Sequence, residues 1–584
     1  MRPRLALAAA SAMAVVAALG ACSENKGGGD VDNSDLNKET TGSVATDPKQ
    51  SLGPVVIEGA KKGGTLRIIR ENDYEHLDPQ RNYTLQATAL GQLIYRTLTV
   101  FKQDGQGKLL LVGDLAETAG DDVNKDCKTW KYTLKKGLKY EDGTEIKASD
   151  VAYGIARSFE ESLADGAVYI QTWLAGTGDY ASVYKGPYTS GTDKVPGLDV
   201  DDNARTLVFN FKTPKCDMPF AASMNTTSPV PKAKDTKDKY DDRPFSSGPY
   251  KIKEYKPDTS LTLERNPNWD TNTDPLRTAY PDQVFVELGP TNTQATERVR
   301  ADKGEDANAV AEDNAPAELA STLLDDASLK SRLINSPTGL VWRVAINNER
   351  IKDLKVRQAI AYAIDKQAVL TIFGGDAAGK ITHTVLPPST LGYKEYANPY
   401  DGGPNGNPDK AKELLAGQKV KLVFLVRNVD NPYLRAANAI KQSLERAGFE
   451  VVITPIERSN HNPATKTRGN QYDLYMSGWQ PDWPSAASTL PVLFDGRSLQ
   501  PRGNDNNHYL NASDVNSEIE RISGLPAGQA GPEWLKLDEK ITKDHCPAVP
   551  LFVARTFGLM GSKVGGVFNS DAIGQQVYYN AHLK

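Results

Sequence analysis

Cysteine is scarce: four residues in 584, too few for a disulfide-dense scaffold. Histidine is scarcer relative to need. The six, at 76, 383, 461, 508, 545 and 582, include no i,i+4 pair of the kind that binds zinc from one helix face. No basic excess exists, since Lys+Arg total 69 against Asp+Glu 74, a net charge of -5; that argues against a nucleic-acid partner. No apolar run reaches the ~20 residues that a membrane-spanning helix needs. HExxH, GxSxG and GxGxxG are all missing. What is present is 39% hydrophobic and 24% charged residues, the profile of a soluble globular chain, with 48 Gly and 35 Pro marking many turns.

Two partial motifs fail on inspection. Gly374-Gly-Asp-Ala-Ala-Gly-Lys380 has P-loop spacing, but Ile381 stands where Ser or Thr must reach Mg²⁺, and a predicted helix precedes it instead of a strand. Asp199-Val-Asp-Asp-Asn203 imitates a calcium loop, yet the sixth position is Ala204 and the twelfth Asn210. It reads as a turn before a strand at Thr206. No cofactor and no metal are expected, and the chain does not read as an enzyme.

The N-terminus gives the compartment. Arg2 and Arg4 precede an uncharged run from Leu5 to Leu19, the layout of a secretory signal over residues 1–21. Leu19-Gly20-Ala21-Cys22 resembles the bacterial lipobox, which implies that Cys22 is lipidated and that its acyl chains anchor the protein outside the cytoplasmic membrane. Residues 22–59 then read as anchor and flexible tether, being polar, aperiodic and poor in apolar side chains. Of the remaining cysteines, Cys127 precedes the strand-like run Trp130–Leu134 and Cys216 follows the run Thr206–Phe211. Antiparallel pairing of those runs would bring the two cysteines together as a disulfide. Cys546 is then left over, buried rather than reactive.

Periodicity places strands at Gly63–Arg70, Trp130–Leu134, Ser260–Arg265, Val420–Val426 and Val451–Ile453. Helices are expected at Ala87–Leu98, from Val151 to about Leu163, as one long element at Lys355–Phe373, at Pro408–Leu415, and at Tyr433–Ala447 with Gly448 as its stop. Alternating α and β over 400–480 points to an α/β lobe.

Five blocks carry a family resemblance: Gly63-Gly-Thr-Leu-Arg-Ile with Leu77-Asp78-Pro79; Trp130–Phe159; Ser246–Asp270; Val356–Val369; and Tyr472–Ala486. In this order they resemble the extracellular solute-binding proteins of the oligopeptide/dipeptide ABC-transporter family, over about residues 60–584. The resemblance implies an α/β, bilobal, periplasmic-binding-protein-like fold with a hinge between lobes and an extra subdomain in the first. Lobe I is expected from 60–84, 231–340 and 550–584, its inserted subdomain from 85–230, and lobe II from 341–549.

It also implies the site. A peptide would lie extended between the lobes with strand-like backbone hydrogen bonds. Asp482, in the block Gly478-Trp479-Gln480-Pro481-Asp482, matches the aspartate that holds the ligand's amino group. Gly478, Trp479 and Trp483 flank it as candidate wall residues, and Tyr83 and Thr84 match a contact segment of the opposite lobe. Met476 departs from peptide binders that carry an arginine nearby for the ligand carboxylate; Lys466 and Arg468 are possible substitutes. The implied partners are a peptide and a permease with a separate ATPase, served by a monomer. Receptors for an oligosaccharide or a nickel chelate, and a signalling lipoprotein of the same fold, stay open as alternatives.

Overall fold

The structure is a computed structural model that describes residues 43–45, 47–103, 109–163, 165–427, 431–570 and 574–584. The secretory signal, Cys22 and the first half of the expected tether lie outside the described residues.

An eleven-stranded sheet runs through both lobes. From one edge its path is Glu450–Ile456, Lys421–Arg427, Leu474–Trp479, Leu333–Ile346, Ala548–Met560, Ala309–Ala311, Thr65–Arg70, Gln283–Leu288, Ser260–Arg265 and Tyr250–Lys256, with Gly379–Ile381 added beside Ala548–Met560. Two strands are far longer than the usual five or six residues: Leu333–Ile346 with 14 and Ala548–Met560 with 13. They pair antiparallel along their length, and the register shifts between Pro337 and Val341.

That break separates two cores. Ile334 packs with Leu66, Ile68, Leu90, Val286 and Tyr578 in the first lobe. Val344 and Ile346 pack with Ile360, Phe424, Ile440 and Leu551 in the second. The chain therefore passes between lobes within single strands, and Thr338, Gly339 and Leu340 stand at the crossing.

A third core belongs to the subdomain. Its four-stranded sheet contains Thr129–Thr133 and Thr206–Asn210, paired antiparallel with Trp130 opposite Phe209. Cys127 and Cys216 are bonded at the end of that pair, 4.9 Å apart at Cα, as the pairing argument expects. Cys546 is free and fully buried, and burial pushes its thiol up to about 12.

Several boundaries differ from expectation. The helix expected at Ala87–Leu98 is Leu85–Ile94, and its apolar face joins the first-lobe core through Ala87, Leu90 and Leu93. Residues 85–94, expected in the inserted subdomain, thus pack with the first-lobe core. The long element at Lys355–Phe373 is two helices, Leu354–Ala363 and Lys366–Phe373. Asp365 caps the second, its carboxylate accepting from Ala368 N at 2.8 Å, and a cap interrupts a helix even where the apolar spacing continues. The helix expected from Val151 begins at Ala148 and ends at Arg157.

Part of the stretch expected as tether is bound to the folded body. Ala45 N donates to Leu111 O, Gly53 N to Asn272 O and Gly113 N to the Ser51 hydroxyl. Lys135, itself buried, donates through Nζ to the carbonyls of Ser51, Gly113, Asp114 and Thr273. Beside it Arg96 and Arg277 pair with Asp114 at 2.7 and 3.0 Å. Burial pushes the Asp274 carboxyl up, but the guanidiniums of Arg277 and Arg96 outweigh it and leave the group well below the usual range. This buried charge cluster joins residues near Ser51, the first lobe and the subdomain.

The Gly374–Lys380 segment sits at a helix C-terminus, with Gly374 at φ +119° and Gly379–Ile381 on a sheet edge. That is the wrong helix end for a phosphate. Asp201 accepts from Asn203 N and Ala204 N, so the calcium-like stretch is an Asx turn. Among the described residues no cluster of three or more His, Cys, Asp or Glu could hold a metal, and no helix is long and apolar enough to cross a membrane.

Candidate ligand-binding site

Asp482 stands in the loop that follows Leu474–Trp479, the strand that pairs Gly478 with Trp342. Two tyrosines reach its Oδ2 from the other side of the cleft. Tyr83, on the first-lobe segment just before the helix Leu85–Ile94, donates at 2.8 Å. Tyr169, the first residue of the subdomain helix Tyr169–Ala175, donates to the same oxygen. One carboxylate thus joins three structural units.

The segment that carries Tyr83 is fixed by the Leu77-Asp78-Pro79 turn. Asp78, fully buried, pairs with the fully buried Arg157 of the subdomain at 2.7 Å, and Arg157 also donates to Gln80. Asn82 donates to the carbonyl of Ala87. Tyr83 therefore projects from a backbone tied at both ends, which places its hydroxyl with little remaining freedom.

Asp482 opens onto a cavity of about 80 Å³ whose lining includes Tyr83, Gln92, Asn225, Arg277, Gln480 and Asp482 itself. The charge of Arg277 is already taken by Asp114 and Asp274. Among the described lining residues Asp482 is the only carboxylate. Gln92 Oε1 and Gln480 Oε1 are buried there without a hydrogen-bond partner. The volume is small beside the roughly 300–1,000 Å³ of sites for drug-sized ligands.

Burial is the largest influence on Asp482 and raises its carboxyl; the hydroxyls of Tyr169 and Tyr83 lower it, the Asp505 charge raises it, and it comes to about 7. Asp482 is half-buried, with Tyr83 and Tyr169 on its Oδ2, and this partial removal from water disfavours the charged form. Lys466 does not offset it, because it pairs with Asp505 at 2.5 Å.

The other expected residues separate into roles. Tyr83 meets Asp482. Thr84 precedes the helix, where its carbonyl accepts from Thr88 N and its side chain makes no cap bond. Gly478 leaves room for Leu340, since an added Cβ would come 3.0 Å from its Cδ1. Trp479 donates to Ser488 O at 2.9 Å and packs on the Leu490 core. Trp483 is not a cavity wall; it is 1% exposed and packs in the subdomain core. Met476 is buried in the second-lobe core, and Arg468 pairs with Glu349 at 2.6 Å. Both proposed substitutes for a carboxylate-binding arginine are thus engaged already. Tyr169 and Gln480 escaped the sequence reading. Tyr169 lies 313 residues from Asp482, and no local pattern distinguishes it from an ordinary core tyrosine.

A family described as "Bacterial extracellular solute-binding proteins, family 5 Middle" matches residues 111–500, more than half of the chain. The chain is 24% identical to heme-binding protein A of Haemophilus influenzae, over 85% of its own length and 88% of that protein's. It is 23% identical to the periplasmic oligopeptide-binding protein OppA of Escherichia coli, over 91% and 95%. Among solved structures, clavulanic acid biosynthesis oligopeptide binding protein 2 superimposes with a TM-score of 0.82 at 28% identity, covering 93% of this chain and 99% of that one.

A raised carboxyl in the folded state has a defined cost. Between the ordinary value of 3.8 and about 7 the folded protein holds the proton more tightly than the unfolded chain, so stability falls as pH rises through that window. Asp482→Asn removes the penalty. The full shift implies about 4 kcal/mol at pH 8, which partial solvent exposure reduces; we expect Asp482→Asn to stabilise the unliganded protein by about 2–4 kcal/mol at pH 8 and by close to nothing at pH 4, measured by denaturant unfolding at both pH values.

Proposed function

This chain belongs to the bacterial extracellular solute-binding proteins of family 5, and from that premise we propose that it captures peptides between its lobes by their amino terminus and delivers them to an ABC importer. The observation that carries the reading is Asp482: a cavity carboxylate, poorly solvated, whose hydrogen bonds among the described residues come from the neutral hydroxyls of Tyr83 and Tyr169. A ligand ammonium supplies the opposite charge that the site lacks, and charge-assisted hydrogen bonds are roughly twice as strong as neutral ones. Peptide is also what the names of two of the relatives specify.

Capture then follows a simple sequence. In the open form Asp482 on the second lobe meets the ammonium. Closure brings Tyr83 and Tyr169 to the same centre, so the ligand is enclosed by groups from all three units. A ligand shifts this equilibrium only by its greater affinity for the closed state. The crossing at Thr338–Leu340 in the long strands provides the place for the hinge.

Cys22 is proposed to carry the lipid that keeps the receptor at the outer face of the cytoplasmic membrane, with the stretch between Cys22 and residue 43 as its tether. Cys22→Ser should release the protein from the membrane fraction of its host into the medium; retention in the membrane fraction contradicts the anchor.

Ligand binding should be bell-shaped in pH. Below about 7 the ammonium must displace the Asp482 proton, so affinity falls up to tenfold per pH unit; above the peptide amine's own ~8 it falls again. In thermal-shift and calorimetric titrations, free-amine tri- to hexapeptides should bind, and the same peptides N-acetylated should lose at least about tenfold. Oligosaccharides, nickel chelates and heme serve as competing arms. Strong binding of one of these together with no response to peptides contradicts the proposal.

A further inference from the structure

Trp483 is next in sequence to Asp482 on the second lobe, yet its side chain belongs to another unit. Its ring centroid lies 4.6 Å from that of Tyr169 and 6.4 Å from that of Trp173, both in the subdomain. Its Nε1 donates to Asp217 Oδ2 at 2.8 Å. Tyr169 contacts both neighbours, its ring against the indole and its hydroxyl on Asp482. A fully buried tryptophan with a satisfied N–H is a strong anchor at an interface, and here it is the second lobe's anchor in the subdomain.

Asp217 is held independently. It follows Cys216, which is bonded to Cys127, and Lys215 N donates to Cys127 O at 2.7 Å. The acceptor for the indole therefore stands on a segment clamped to the start of the strand Thr129–Thr133. Burial raises the Asp217 carboxyl, and bonds from Trp483 and Ser485 lower it. Ser485 comes from the same second-lobe loop as Trp483, so this carboxyl faces the loop through two of its side chains.

We infer that Asp217 is a positioning residue for the amine site: by receiving the Trp483 indole when the lobes close it docks the 480–485 loop on the subdomain and presents Asp482 to Tyr83, Tyr169 and the ligand. Adjacent Cα atoms are 3.8 Å apart, so fixing the indole leaves Asp482 little more than its own rotamer to vary. The subdomain thereby controls an anchor that the second lobe carries. This rests on the reading of Asp482 as the amine anchor.

The groups that face Asp482 are Tyr83 from the first lobe, Tyr169 from the subdomain and Asp505 from the second lobe, the last paired with Lys466. Loss of the Trp483–Asp217 bond should let the loop lift from the subdomain, admit water to Asp482 and return its carboxyl toward the ordinary range. A purely structural defect lowers stability and leaves that titration in place.

The test uses Trp483→Phe, which keeps an aromatic ring and removes the N–H, and Asp217→Asn, which keeps the shape and an acceptor but removes the charge, both beside the parent protein. Calorimetric affinity for a free-amine tripeptide is measured from pH 5 to 8. For Trp483→Phe we expect about tenfold weaker binding at pH 7 and an acid limb moved at least one pH unit lower. Asp217→Asn should move both readouts the same way by less. Unchanged affinity and an acid limb still near pH 7 in both variants overturn the inference while leaving the amine anchor intact. If the parent itself binds no free-amine peptide, the site reading and this inference fall together.

Discussion

One half-buried carboxylate holds the three parts of the molecule to a common centre. Asp482 comes from the second lobe, Tyr83 from the first and Tyr169 from the subdomain, and all three meet at a single oxygen. The contact is electrostatically incomplete, because hydroxyls donate hydrogen bonds but carry no charge to offset a desolvated anion. Desolvation without a counter-ion is costly. The folded protein therefore carries a destabilised group at the place where a cation would relieve it. Such tension between stability and function is expected at binding sites.

The rest of the architecture keeps that centre assembled. Arg157 and Asp78 fix the segment bearing Tyr83. The Cys127–Cys216 link and Asp217 form the seat for Trp483. The two long strands carry one sheet through both lobes, and the register break at Thr338–Leu340 gives a local place to bend without unpairing the sheet.

What the sequence made legible is what local chemistry writes into it. The strand Thr129–Thr133 alternates buried and exposed positions, so its period was readable, and the disulfide followed from its pairing with Thr206–Asn210. The helix Pro408–Leu415 opens on proline and matches its expected bounds. Asp482 and Tyr83 were reached through family resemblance and not through composition. Misreadings arose where tertiary contacts outweigh local pattern. The apolar spacing of Lys355–Phe373 is continuous, and only the Asp365 cap reveals the break. The polar stretch before residue 60 looked free, yet Lys135 gathers the Ser51 carbonyl into a buried network. Trp483 looked like a ligand wall because it adjoins the carboxylate, but its partners Tyr169 and Asp217 lie hundreds of residues away.

The central claim is that a ligand ammonium takes over the charge of Asp482. It is tested most directly by counting protons. Calorimetry of a free-amine peptide in buffers of different ionisation enthalpy should show close to one proton released per ligand bound at pH 6, where Asp482 begins protonated, and no release at pH 8. Binding at pH 6 with no proton released would mean that the ligand displaces no carboxyl proton, and would contradict the account.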